Sequence, residues 1–285
     1  MIIYSKTLPE NHNLYLFGDS HEGTILKSYD GYNETIERIR RDKIGYAVHM
    51  GDIADSVTID DPRYDPSTID GRSNCPLEQY KVATKELKPI KNKLITILEG
   101  NHDHKLTARK GLGNFVKLIT CDELGIPFGT FSCKLWIKNR RDKQMYKIFL
   151  THGSRSISSK SNDPIKRLNS KIMKLKNSLY DLAGDCAIMA MGHSHQLLVA
   201  NPAESLYLVD DGKKIHQRYT TSPSNGSEYI HPDHRWYVNT GSYLKLYVEG
   251  ISSYGERMGL SPVELGYCVI KVREGKVSSV EKIVI

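Results

Sequence analysis

Five short stretches of this chain gather oxygen and nitrogen donors. They are "FGDSH" with Asp19 and His21, "MGDIAD" with Asp52 and Asp55, "EGNHD" with Asn101, His102 and Asp103, "LTHG" with His152, and "MGHSH" with His193 and His195. Carboxylate, imidazole and amide oxygen without a thiolate suit Mn²⁺, Fe, Zn²⁺ or Ni²⁺, and Mg²⁺ less well. The donors exceed what one ion needs. Two ions about 3.5 to 4 Å apart, bridged by a shared carboxylate, would use them and form the clamp of phosphoryl chemistry. Any one of these motifs arises by chance, but five in order do not.

The elements that must position them are visible in the hydrophobic pattern. Leu14 to Phe17, Tyr46 to Met50, Leu94 to Leu98, Tyr146 to Leu150 and Cys186 to Met191 are short apolar runs bounded by turn residues, the pattern of buried strands. Each delivers its polar cluster at its carboxyl end, where α/β sheets place their ligand crevice. Helical patterns cover Glu34 to Arg41, Leu77 to Leu87, Asn114 to Leu124 and Pro164 to Leu182. The last carries Ile165, Leu168, Ile172, Leu175, Leu179 and Leu182 at steps of three and four, which predicts a helix lying on a sheet. Segments 130 to 138 and 144 to 150 predict a hairpin, and strands dominate from Trp236 onward. Ser56 to Pro76 and Glu204 to Arg235 lack regular pattern. Loops leaving the second and fifth motifs in this way are expected to overhang the metals.

In this order, D-x-H, GD-x-x-D, GNHD, H-G and G-H-x-H resemble the calcineurin-like metallophosphoesterase superfamily. The motifs span residues 19 to 195. The resemblance implies a mixed α/β fold of four layers, a central β-sandwich of two mixed sheets flanked by helices. It also implies a division of labour. One metal falls to Asp19, His21 and His195, the other to Asn101, His152 and His193, with Asp52 as the bridge. His102 is left free of metal, as the acid toward the leaving oxygen or the group that steadies the phosphate, while a metal-bound hydroxide attacks phosphorus in line. Asp55 matches the aspartate that orients this histidine in the phosphoprotein phosphatases. Asp103 reads as structural and His104 as a solvated loop residue.

Two departures bear on substrate. Ser56 and Val57 stand where those phosphatases have Arg-Gly, so their phosphate-gripping guanidinium is missing at that position. "NTGSY", Asn239 to Tyr243, resembles the NPGS turn of the small bacterial and archaeal phosphodiesterase branch. A diester carries less charge than a monoester dianion and needs such a clamp less. Arg155, three residues after His152, is the alternative source of a guanidinium.

Residues 153 to 182 hold seven basic and two acidic side chains, +5 of the chain's net +7. Lys166, Arg167, Lys171 and Lys174 in this segment either guide a nucleic-acid backbone or form the solvated face of a helix. The 204 to 235 stretch interleaves aromatic and basic groups that suit stacking on bases, but reads first as a surface hairpin.

The 285 residues, 39% of them apolar, fit a single domain, 1 to 285, with insertions at about 56 to 76 and 204 to 235. Five scattered cysteines without C-x-x-C, and no amino-terminal apolar segment, predict a cytoplasmic protein with no membrane partner. No protein partner is evident. The reading that follows is a two-metal phosphoesterase, Mn²⁺ first among its metals, acting on a phosphodiester of a nucleotide-containing or nucleic-acid substrate. The alternatives are a phosphomonoesterase acting on phosphoprotein or a small metabolite, a DNA nuclease, and a non-catalytic binding protein on the same fold.

Overall fold

A computed structural model describes residues 1 to 220 and 227 to 285. Alternation along the strands builds its layers, because successive side chains point to opposite faces. Leu14 and Leu16 face one way, and Tyr15 and Phe17 face the other. They belong to β2 (His12–Phe17) of a five-stranded sheet ordered β13 (Lys276–Val284), β12 (Gly266–Arg273), β2, β3 (Gly45–His49) and β4 (Leu94–Ile97). A six-stranded sheet runs β1 (Ile2–Thr7), β5 (Ser132–Lys138), β6 (Gln144–Thr151), β7 (Ile188–Met191), β11 (Trp236–Thr240) and β8 (Leu197–Ala200). Both are mixed.

Leu14, Leu16, Val48, Leu135, Ile148, Ile188 and Ile270 fill the space between the sheets. The outer face of the five-stranded sheet packs on α1 (Tyr29–Arg41), through Tyr32, Ile36 and Ile39, and on α2 (Pro76–Leu87), through Tyr80, Ala83 and Leu87. Leu106 of α3 (Asn101–Lys110) joins them, next to a π turn at Val116–Cys121 and the single turn α4 (Asp122–Leu124). The other sheet packs Phe149, Met189 and Tyr237 on α5 (Pro164–Leu179). A short α6 (Tyr254–Arg257) precedes β12. The four layers are therefore helix, sheet, sheet, helix, the mixed α/β architecture expected.

The five apolar runs are β2, β3, β4, β6 and β7, and the expected hairpin is β5–β6. Parallel pairing of β2 with β3, of β3 with β4 and of β6 with β7 brings their carboxyl ends to one side.

Three expectations need correction. The stripe of α5 does not all lie on the sheet: Leu175 and Leu179 are buried, but Ile165, Leu168 and Leu182 are exposed. The helix ends at Leu179, and its first turns run past the covered part of the sheet. The 114 to 124 pattern is a π turn and one helical turn, not a continuous α-helix.

The third concerns Glu204 to Arg235, which does not overhang the carboxyl ends. Strand β8 runs antiparallel to β11 and carries the chain to the far end of the sheet first. There Ala203 bonds Asp233, and Ile230 N donates to Gly184 O just before β7. The segment forms an antiparallel hairpin of β9 (Leu206–Asp210) and β10 (Ile215–Tyr219), largely exposed on both faces, as the surface-hairpin reading anticipates. Residues 221 to 226 of this insertion lie outside the described residues. No helix among the described residues is long and apolar enough to cross a membrane.

Candidate metal centre

Six of the seven candidate ligands sit in the turns that end the strands and the seventh, Asn101, opens α3, and the backbone of those turns is unusual. Asp19, His21, Asp52, His193 and His195 all have φ between 47° and 65°, the left-handed region that non-glycine residues rarely adopt. Turns this tight redirect each side chain into the crevice at a conformational cost held by the surrounding fold. Gly100 lets two of them approach. A Cβ there would stand 2.0 Å from Asp52 Oδ1, so only glycine permits the β4 turn to lie against Asp52.

Three donor groups form in which every ligand atom lies within 4.8 Å of the others: Asp19, His21 and His195; His21, Asp52 and His102; Asp52, His152 and His193. Asn101 joins the last, its Oδ1 lying 2.9 Å from His152 Nε2 and 2.7 Å from His193 Nδ1. Asp52 stands between the outer groups. Its Oδ2 is 3.4 Å from His152 Nε2 and 3.9 Å from His21 Nε2, and its Oδ1 accepts from the His102 N–H at 2.9 Å, in the first turn of α3.

Neighbours orient the imidazoles. His152 Nδ1 lies 2.9 Å from the Met50 carbonyl, and His21 Nδ1 lies 3.3 Å from Asp55 Oδ1. Both partners accept, so the proton sits on Nδ1 and the Nε2 lone pair points into the crevice, as a metal ligand requires. The Nε2 atoms of His21 and His195 face each other at 3.2 Å, and Asp19 Oδ1 is buried without a hydrogen-bond partner. Converging lone pairs beside an orphaned carboxylate oxygen fit a divalent cation well.

The electrostatics agree. Burial alone pushes Asp52 up, but the fields of His152 and His102 hold it well below the usual carboxylate range. Asp19, likewise raised by burial, is brought down by His195 and His152. His152 is lowered by burial, yet Asp52 and Asp19 carry it up to about 10. The site calls for positive charge, and the field that favours a proton on His152 favours a metal ion competing with it.

His102 has both nitrogens engaged. Nδ1 meets the Asp55 carbonyl at 2.5 Å and is 3.6 Å from the Asp55 carboxylate, while Nε2 lies 2.7 Å from Arg63 Nη1. Asp55 thus holds His102 through its backbone and His21 through its side chain. Asp103 is buried. It accepts from the N–H of Gly100 and from Tyr80 Oη, and burial with the field of Asp52 pushes its carboxyl up to about 6. His104 is exposed, its Nδ1 3.3 Å from Glu99 Oε1. In the NTGSY turn, Ser242 Oγ and Tyr243 N both donate to the Asp19 carbonyl at 3.1 Å, fixing the first turn of the site.

The remaining candidates spread outward. Arg155 is exposed on the loop after His152. Lys171 Nζ donates to Gln196 Oε1 at 2.7 Å, next to His195, so the amino-terminal half of α5 stands beside the crevice. Arg167 donates to the carbonyls of Ser161 and Asn162, and Lys174 to that of Ser158, while Lys166 is exposed.

Arg63 is the residue that the motif reading missed. No side chain but serine follows Asp55, and Ser56 is buried, its N–H on Gln79 Oε1. The guanidinium arrives instead from inside the 56 to 76 segment. Its one sequence signal is that this segment leaves the second motif.

A model of the calcineurin-like phosphoesterase family matches residues 12–221. No curated protein matches the chain. Among solved structures it is similar to wild-type Vps29 of Entamoeba histolytica in complex with zinc, at 12% identity over 96% of this chain and 98% of that one, with a TM-score of 0.43. A metallophosphoesterase of Sphaerobacter thermophilus is similar at 13% identity over 92% and 84% of the two chains, TM-score 0.39. NAD nucleotidase of Haemophilus influenzae is similar at 12% identity over 96% of this chain and 50% of that one, TM-score 0.43.

Proposed function

Because this chain belongs to the calcineurin-like phosphoesterases, a family of hydrolases that depend on two metal ions, we propose that its substrate is a phosphodiester of a nucleotide-containing or nucleic-acid molecule. Asp19, His21 and His195 would hold one ion and Asn101, His152 and His193 the other, with Asp52 between them. Mn²⁺ is the first choice for this donor set, with Fe, Zn²⁺ and Ni²⁺ compatible. When bound, the two cations supply charge neutralisation of the phosphate and a lowered pKa for water.

The chain's own groups do the rest. The Asp55 carbonyl holds the proton of His102 on Nδ1, and the Nε2 lone pair accepts from Arg63 Nη1. Burial, with the charge of Arg63 beside it, lowers the pKa of His102, so Nε2 must first part from the Arg63 N–H and gain a proton before it can give one to a leaving oxygen. An arriving anion favours that step.

The observation that carries the diester reading is the position of α5. Its exposed amino-terminal half, in the part of the chain that holds +5 of the net charge, stands beside His195 through the Lys171–Gln196 contact. A positive flank that continues past the crevice suits a substrate with phosphates beyond the one being cleaved. A second reading, phosphomonoester hydrolysis, is favoured by Arg63, whose guanidinium beside His102 suits a terminal phosphate. The deciding experiment is the ratio of kcat/KM for matched aryl diester and monoester substrates at one Mn²⁺ concentration. The diester reading expects a ratio above one, and a ratio clearly below one replaces it with the second.

A further inference from the structure

We infer that Arg63 grips a phosphate oxygen of the substrate and that Asp61 is the positioning residue that holds it in place. The inference rests on the phosphoesterase reading of the site and adds a binding group from outside its motifs.

Asp61 is buried at the edge of the crevice. Its carboxylate accepts from Arg63 Nε at 3.1 Å, Arg63 Nη2 at 3.0 Å and the Arg63 backbone N–H at 2.9 Å. It also receives Lys105 Nζ, one turn beyond His102 on α3. The segment is thereby pinned to the helix that carries His102, and the guanidinium is fixed by a two-point contact that leaves its far end directed at the site.

That far end is Nη1, 2.7 Å from His102 Nε2. A guanidinium only donates, so one Nη1 hydrogen goes to His102. With Nε and one Nη2 hydrogen on Asp61, an N–H remains free on each terminal nitrogen. The side chain is 32% exposed, so the guanidinium is not sealed in by its partners. A phosphate placed to be acted on by His102 therefore meets Arg63 as well.

One carboxylate, Asp61, serves two cations, Arg63 and Lys105, and the charge of Asp55 acts on both as well. A planar fork held at two points loses little freedom when it binds an anion.

The test uses the full chain loaded with Mn²⁺, as wild type, Arg63→Ala, Arg63→Lys and Asp61→Asn. Inorganic phosphate binding is measured by calorimetry, kcat and KM on an aryl diester by steady-state kinetics, and metal content by elemental analysis. Arg63→Ala is expected to keep its metals, to weaken phosphate at least tenfold, and to lower kcat/KM about a hundredfold, the order found for losing one donor to a developing anion. Arg63→Lys should recover only part of the phosphate affinity, and Asp61→Asn should lose less than Arg63→Ala in the same direction. Phosphate affinity within twofold of wild type in metal-replete Arg63→Ala overturns the inference. If that variant does not fold, the same result in Arg63→Lys overturns it. Should wild type cleave no phosphoester while Arg63→Ala still loses phosphate affinity, the grip stands and the substrate reading falls.

Discussion

The two insertions leave the chain in similar settings, each shortly after a ligand motif, and end in opposite relations to the site. The 56 to 76 segment is built into it. Arg63 reaches His102, Asp61 holds Lys105 of α3, and Ser73 Oγ donates to Glu22, the neighbour of His21. The 204 to 235 segment departs only after β8 has crossed the sheet, and its hairpin projects at the end away from the ligands. Proximity in sequence to a functional motif therefore says little. What decides is whether a strand intervenes, because four residues of strand already carry the chain about 13 Å.

The largest expected effect lies in the site that one insertion touches. Asp52→Asn should abolish hydrolysis and reduce bound metal, measured by activity and elemental analysis, since Asp52 stands between both donor groups. If activity survives, the crevice beneath the first insertion is not the reactive centre. The first insertion's far end reaches Glu22 through Ser73 Oγ, and Glu22 shares the fully buried Lys27 with Glu86. Lys27→Met leaves those carboxylates unpaired, and denaturant unfolding should show a loss of about 3 to 5 kcal/mol.

On the second insertion's side, Lys134 and Lys147 overcome the effect of burial and hold the Asp185 carboxyl down at about 2. A carboxyl whose pKa is depressed on folding contributes stability above its unfolded value, near 4, and loses it as pH falls toward 2. Asp185→Asn should thus cost about 1 kcal/mol at pH 7, allowing for its partial exposure, and nothing near pH 2. Thermal melts across that range check the sign. Least of all, replacing the hairpin tip, 210 to 215, by a short Gly-Asn turn should leave kcat/KM within about twofold and stability within about 0.5 kcal/mol. A large loss of activity there would break the comparison outright.

That the candidate donors converge could be read from the chain because each ends an apolar run, and burial makes such runs conspicuous. Other elements are silent for physical reasons. Strand β1 alternates Ile, Tyr and Lys at a sheet edge with most of its residues exposed, so it has no apolar run to announce it. Helix α3 buries one aliphatic residue, Leu106, and its first turn is made of motif residues, so no helical stripe exists. The stripe of α5 is present in sequence, yet which of its turns are covered depends on where the sheet stops. Arg63 is silent because its partner His102 is 39 residues away and nothing local marks it.

The pairing of β2 sets the order in which this protein can become functional during synthesis. Asp19 and His21 follow a strand that emerges early, but that strand pairs with β12, Leu16 lying opposite Cys268, and the Asp19 carbonyl is held by Ser242 and Tyr243. Contacts so distant in sequence form late. We predict that a chain halted before Trp236 carries every candidate ligand and still fails to retain Mn²⁺ on dialysis, so that metal acquisition follows translation of the distal strands and does not guide the folding of the first ones. Retention by such a halted chain would mean that the ions template the site.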